Sequence, residues 1–166
     1  QSVILMSFNI LIQEKLPYYA KAIPFTAHHI NFLKLDKYQS HLMNNIKDYK
    51  DWFVAQSKMG HSATVTVNDK PTVCFGFIPL WKGVAEAWML VDTDIRTNTV
   101  PFARVTKHIF VGIGSVMGLH RLQMYIQQDN KRAIRYAEYC KFVQEGLLKK
   151  YSPVQDNFYV YGRLYE

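Results

Sequence analysis

The sequence predicts an α+β fold, with a mixed, mostly antiparallel sheet flanked by helices in one domain over residues 1–166. Three observations predict it. Residues 61–67, 71–80 and 84–91 are strand-like runs joined by the short turns Asn68-Asp69-Lys70 and Trp81-Lys82-Gly83, which makes an antiparallel meander. Between 99 and 117, Phe102, Val105, Ile109, Ile113 and Val116 recur at spacings of three and four, so they share one helical face. A strand follows at 122–126. A helix between two strands is a crossover, so the runs at 84–91 and 122–126 are expected to be parallel.

Each element has a local cause. Residues 2–12 are apolar and read as a strand or short helix, broken by Pro17. The run 18–23 reads as a strand stopped by Pro24, and Thr26 or Ala27 opens a short helix through 33. Asp36-Lys-Tyr-Gln39 has capping-box spacing. Leu42, Ile46, Tyr49 and Phe53 then continue one amphipathic helix to about residue 58, ended by Gly60. In the helix 99–117, Thr99 can cap, Pro101 is tolerated in the first turn, and Gly118 suits the residue after the end. Gly112 and Gly114 inside it require a close neighbour, expected to be the sheet. Asp129-Asn130 opens a second helix to about 140, and the runs 142–151 and 158–164 form a final hairpin.

Composition narrows the function classes. With 49% apolar residues in 166, the chain can build one core. Its net charge of +7 suits an anionic partner (nucleic acid, a phosphorylated cofactor or an acidic surface) or simple solubility. The basic residues are scattered and form no aromatic-interleaved strip, so a nucleic-acid role ranks last. Cys74 and Cys140 lie far apart without metal-ligand spacing and read as buried free thiols in a reducing compartment. The six His residues form no HxxxH or HExxH pattern, so no metal site is expected. No apolar run reaches membrane-spanning length, and residues 1–12 lack a basic n-region, which together imply a cytoplasmic protein. The free N–H groups opening the helix at 99 would sit at the carboxyl end of the strand 84–91, a ready anion site.

A specific run sharpens this. Gly118-Leu-His-Arg-Leu-Gln-Met-Tyr125, then Asp129-Asn130-Lys-Arg-Ala133-Ile134, then Phe142-Val-Gln-Glu-Gly146-Leu-Leu-Lys resembles the GCN5-related N-acetyltransferase (GNAT) superfamily, above all its ribosomal-protein and polyamine branches. The match covers roughly residues 63–164. The resemblance implies that the central parallel pair splays apart and that acetyl-CoA lies in the gap. It places Met89, Leu90 and Val91 along the cofactor arm. It sets the pyrophosphate on the loop Arg96-Thr97-Asn98-Thr99-Val100-Pro101, with Asn130 as a further contact or a helix cap. The acceptor would be an amine: a protein N-terminus, a lysine or a small amine. Glu86 falls where relatives carry a base.

Two departures stand out. The loop has Thr99 and Pro101 where the family has small residues: threonine adds a branched side chain, and proline has no N–H to give a phosphate. The family's tyrosine acid falls on Ala137, with Tyr136 beside it as the candidate acid. Residues 83–90 also resemble GNAT-like proteins of tailed phages, some of them internal to the virion. That offers an alternative: a catalytically degenerate assembly protein of a phage particle, with Trp52, Phe53, Trp81, Trp88, Tyr159 and Tyr161 as anchors for other chains.

Overall fold

A computed structural model describes the backbone of residues 2–166 and the side chains of 8–95 and 102–166. The elements in chain order are α1 (Ser2–Gln13), β1 (Ala20–Ile23), a 3-10 turn (Ala27–Phe32), α2 (Lys37–Asn45), α3 (Tyr49–Met59), β2 (His61–Val67), β3 (Lys70–Trp81) and β4 (Val84–Val91). A second 3-10 turn (Thr93–Asn98), α4 (Thr99–Met117), β5 (Arg121–Gln127), α5 (Lys131–Tyr139), β6 (Val143–Leu148) and β7 (Phe158–Leu164) follow. The strands form one seven-stranded sheet in the order β1-β2-β3-β4-β5-β7-β6.

All neighbours are antiparallel except β4 and β5, which are parallel as the crossover requires. That pairing is short. It joins Val84 to Arg121, Ala85 to Leu122 and Glu86 to Gln123, and stops there. Beyond Glu86 and Gln123 the two strands part, which opens the sheet at its centre.

Strand alternation sorts the two faces. Val73, Phe75 and Phe77 of β3 and Leu122 and Ile126 of β5 pack with Phe8 and Ile12 of α1, Ile109, Phe110 and Ile113 of α4, and Ala137 of α5. On the other face, Cys74 and Ile78 of β3 and Trp88 and Leu90 of β4 pack with Ile30, Leu33 and Phe53. Gly76 is glycine for a steric reason: a Cβ there would lie 2.5 Å from Nε1 of Trp88, whose indole covers it.

Several local expectations change. Of the strand and helix expected for the N-terminal run, the helix forms, and Phe8 and Ile12, four residues apart, both enter the core. The single helix expected over 36–58 is two, since Ile46 is extended and Asp48 has φ +59°, which no helix accommodates. Gly112 and Gly114 admit Leu11 of α1 and Tyr165, not the sheet; a Cβ would come within 2.3 and 2.4 Å of them. Of the six aromatic residues considered as anchors for other chains, Phe53, Trp88 and Tyr161 are core residues, whereas Trp52 and Trp81 are exposed. Both cysteines are free and buried, and burial pushes each thiol up to about 11.

Candidate active site

The parting of β4 and β5 makes a cavity of about 750 Å³ that passes through the sheet. One end is lined by Phe102, Phe110, Ala133 and Tyr136, on the α4 and α5 side. The other is lined by Tyr49, Trp52, Glu86, Tyr125 and Tyr151 on the α3 side.

The wall formed by β4 has unusual polarity. Along a strand, backbone groups point alternately to either neighbour. The carbonyl of Gly83 accepts from His120 and Arg121 of the β5 side, so Ala87, Met89 and Val91 also point their N–H and C=O groups that way. Past the fork no strand answers them. Gln39 partly does: its Nε2 donates to the Met89 carbonyl at 3.0 Å, and the Val91 N–H donates to its Oε1 at 3.5 Å. The side-chain amide thus replaces one residue of a missing strand. Its neighbour Tyr38 reaches the opposite wall, with its hydroxyl donating to the Asp129 carbonyl at 2.6 Å and Gln127 Nε2 donating to its carbonyl at 3.1 Å. The start of α2 therefore clasps the open end of the fork. The capping-box spacing is only half used: Asp36 accepts from the N–H groups of Tyr38 and Gln39, while Gln39 turns to β4.

Glu86 stands at the closed end of the fork, on the last paired residue of β4. It is half-buried, and burial raises its carboxyl above the usual range. Among the described residues it has no hydrogen bond and no ion pair, so its carboxylate is uncommitted. Facing it on β5 is an ordered chain. Glu145 holds Arg121 through two bonds of 3.0 and 2.6 Å, Arg121 Nε donates to Gln123 Oε1 at 3.0 Å, and Gln123 Nε2 donates to the Tyr125 hydroxyl at 3.0 Å. Tyr125 stacks on Tyr151 with centroids 4.9 Å apart. Burial, with Tyr125 and Glu86 beside it, pushes the Tyr151 phenol up to about 12.

The candidate residues distribute unevenly. Met89 and Val91 present backbone groups to the gap, but Leu90 directs its backbone to β3 and its side chain to the α3-side core. Asn130 lines the cavity and caps α5, its Oδ1 accepting from Ala133 N–H at 3.1 Å. Tyr136 lines the cavity, stacked on Phe102 at 5.9 Å. Among the described residues its buried hydroxyl has no hydrogen-bond partner; burial, helped by Cys140, raises its phenol well above the usual range against a lowering influence of Thr106. Ala137, where the family tyrosine would fall, is core. The side chains of Arg96, Thr97, Asn98, Thr99 and Pro101 lie outside the described residues. The backbone starts α4 at Thr99, one short turn past β4, with Pro101 in its first turn.

Sequence reasoning missed Gln39, Tyr49, Trp52, Tyr125 and Tyr151. Tyr125 alone had a usable signal, since Arg121, Gln123 and Tyr125 alternate with the core residues Leu122 and Ile126.

The loop end of β4 is anchored separately. Asp92 is buried and accepts from the N–H groups of Lys34 at 3.0 Å and Asp94 at 2.8 Å, with Lys70 Nζ at 3.4 Å. Burial alone would raise its carboxyl, but these donors outweigh burial and hold it below the usual range. Its contribution to stability is therefore present above the unfolded carboxyl pKa and lost as pH falls through the folded one. Asp92→Asn is expected to lower the melting temperature at neutral pH. In melts taken at successively lower pH, the gap to wild type should narrow through the acid carboxylate range; a constant gap would refute this account.

With this geometry in view, the fold is that of the GNAT acetyltransferases. Ard1 from Thermoplasma volcanium superimposes with a TM-score of 0.71 at 15% identity, over 88% of this chain and 97% of that one. A GNAT-family acetyltransferase from Bacillus anthracis gives 0.66 at 15% identity, over 90% and 96%. The microcin C7 self-immunity acetyltransferase MccE, in complex with acetyl-CoA and AMP, gives 0.65 at 14% identity, over 90% and 94%. No protein-family model and no curated protein matches the sequence. Among the described residues no helix is long and apolar enough to cross a membrane.

Proposed function

We propose that the protein transfers an acetyl group from acetyl-CoA to a primary amine. The observation that carries this reading is the fork itself, with an uncommitted carboxylate at its closed end and, along one wall, strand groups that no strand pairs and only the Gln39 side chain answers. The site fits an extended, amide-bearing arm: Met89 and Val91 offer an acceptor and a donor that an arm could take over, and the orphaned Tyr136 hydroxyl adds a polar group on the same side. Acetyl-CoA would supply the activated thioester at the fork. Glu86 then removes the proton from the attacking amine, and burial, by raising its carboxyl above the usual range, makes it a stronger base. Tyr125 accepts from Gln123, so its own O–H proton is directed elsewhere and can serve the departing sulfur. Tyr136 remains the second candidate for that donor from the opposite side.

Binding should be weak, because Thr99 and Pro101 stand where phosphate contact needs small residues and a free N–H. One lost donor to a charged acceptor costs about 1.5–3 kcal/mol. Thr99→Gly with Pro101→Gly is expected to tighten acetyl-CoA binding about tenfold, the factor that 1.4 kcal/mol represents. Arg96→Ala should lose most of it. Calorimetric titration tests both. If neither wild type nor the double variant binds at millimolar acetyl-CoA, the enzyme reading fails and a non-catalytic role in assembly takes its place.

A further inference from the structure

The geometry points to an acceptor that is a monoamine with an apolar or aromatic body, a class defined by the α3-side half of the cavity. This rests on the transfer reading above and goes beyond it. Among the described residues, two carboxylates line the cavity, Asp36 and Glu86. Asp36 is committed as the cap of α2, where its Oδ1 accepts from Tyr38 N–H at 3.0 Å and Gln39 N–H at 2.9 Å. One free carboxylate therefore serves the acceptor, enough to meet one ammonium group and to take one proton from it. For the further cations of a polyamine or a lysine-rich segment, the described cavity residues offer only the capping Asp36, on a chain already carrying +7.

The rest of that half is aromatic and aliphatic. Tyr49 packs edge-on to Phe53 at 5.1 Å, Tyr125 stacks on Tyr151 at 4.9 Å, and Tyr151 tilts against Phe158 at 5.3 Å. Leu42 and Ile46 add aliphatic surface, and Trp52 stands 61% exposed at the rim. Ring faces attract an organic cation and bury its apolar substituent at the same time. Both acceptor classes can place an ammonium against these rings, but only a phenyl or branched alkyl body also buries apolar surface there.

Phenethylamine and spermidine, supplied at equal concentration with acetyl-CoA, separate the classes, with acetylated product measured by mass spectrometry. Phenethylamine is expected to show a kcat/KM roughly tenfold above spermidine, in keeping with the burial of one phenyl group. Trp52→Leu, which removes an exposed side chain and leaves the core alone, should raise KM for phenethylamine with little change in kcat. Amine binding is also read without acetyl-CoA, by quenching of indole fluorescence. A protein that binds phenethylamine but acetylates nothing sinks the transfer reading and leaves only the pocket's preference for an apolar monoamine standing. Preferred acetylation of spermidine or of a lysine-rich peptide overturns the assignment, as does fluorescence that phenethylamine leaves unchanged.

Discussion

Glu86→Gln is expected to lower kcat about a hundred- to ten-thousandfold, the range supplied by a positioned general base, and to raise the melting temperature at neutral pH. Both effects have one cause. The carboxyl sits half-buried at the fork with no hydrogen bond or ion pair among the described residues, so its ionised form is held at a cost. A folded pKa raised above the unfolded value means that stability is complete below the unfolded pKa and is lost as pH rises through the folded one. The amide carries no such penalty. The stabilisation should therefore be present at neutral pH and vanish below the unfolded carboxyl pKa, where wild type is also neutral. The rate of wild type should rise with pH through the raised pKa of Glu86, and the residual rate of the variant should lack that inflection. A variant that keeps near-normal kcat would remove Glu86 from the mechanism. One that melts lower at neutral pH would show instead that the carboxylate is a structural contact.

Gln39→Ala is expected to tighten acetyl-CoA binding roughly ten- to hundredfold. The Gln39 amide occupies the donor and acceptor that β4 turns toward the gap, and a ligand arm laid along the strand must displace it. Two hydrogen bonds at a net ~0.5–1.5 kcal/mol each set the scale of that competition. Tyr38 still ties α2 to the β5 side in the variant, so the helix should stay in place. A fragment carrying only the adenosine and phosphate portion has no amide arm to compete with Gln39, and its affinity should not change. Weaker binding of acetyl-CoA by the variant would show that Gln39 holds the ligand and does not compete with it.

Much of the fold was legible from local chemistry. The meander follows from turn residues and alternation, α4 from its apolar spacing, and the parallel pair from the length of the crossover. Glu86 was a candidate only through the family resemblance, which sets a base at that position of the strand. Asn130 was legible as a cap, which is what its side chain does. The break between α2 and α3 was not, since the apolar spacing of Leu42, Ile46, Tyr49 and Phe53 runs on without interruption, and the left-handed Asp48 is imposed from outside it. Nor were the partners of Gly112 and Gly114: a glycine announces a close approach but not what approaches.

The sequence by itself determined the order and type of most elements, because helix caps, turns and periodicity act within a few residues of one another. It also placed the candidate base and the deviant loop. Tertiary structure alone decided where the sheet opens. That depends on pairing between β4 and β5, which ends after Gln123, 37 positions beyond Glu86 along the chain by their numbering. It likewise decided that Gln39 fills the wall of β4 while Tyr49, Tyr125 and Tyr151 converge near Glu86. Contacts between residues so distant in the chain leave no periodic trace. They arise only when separate strands and helices close on a common gap.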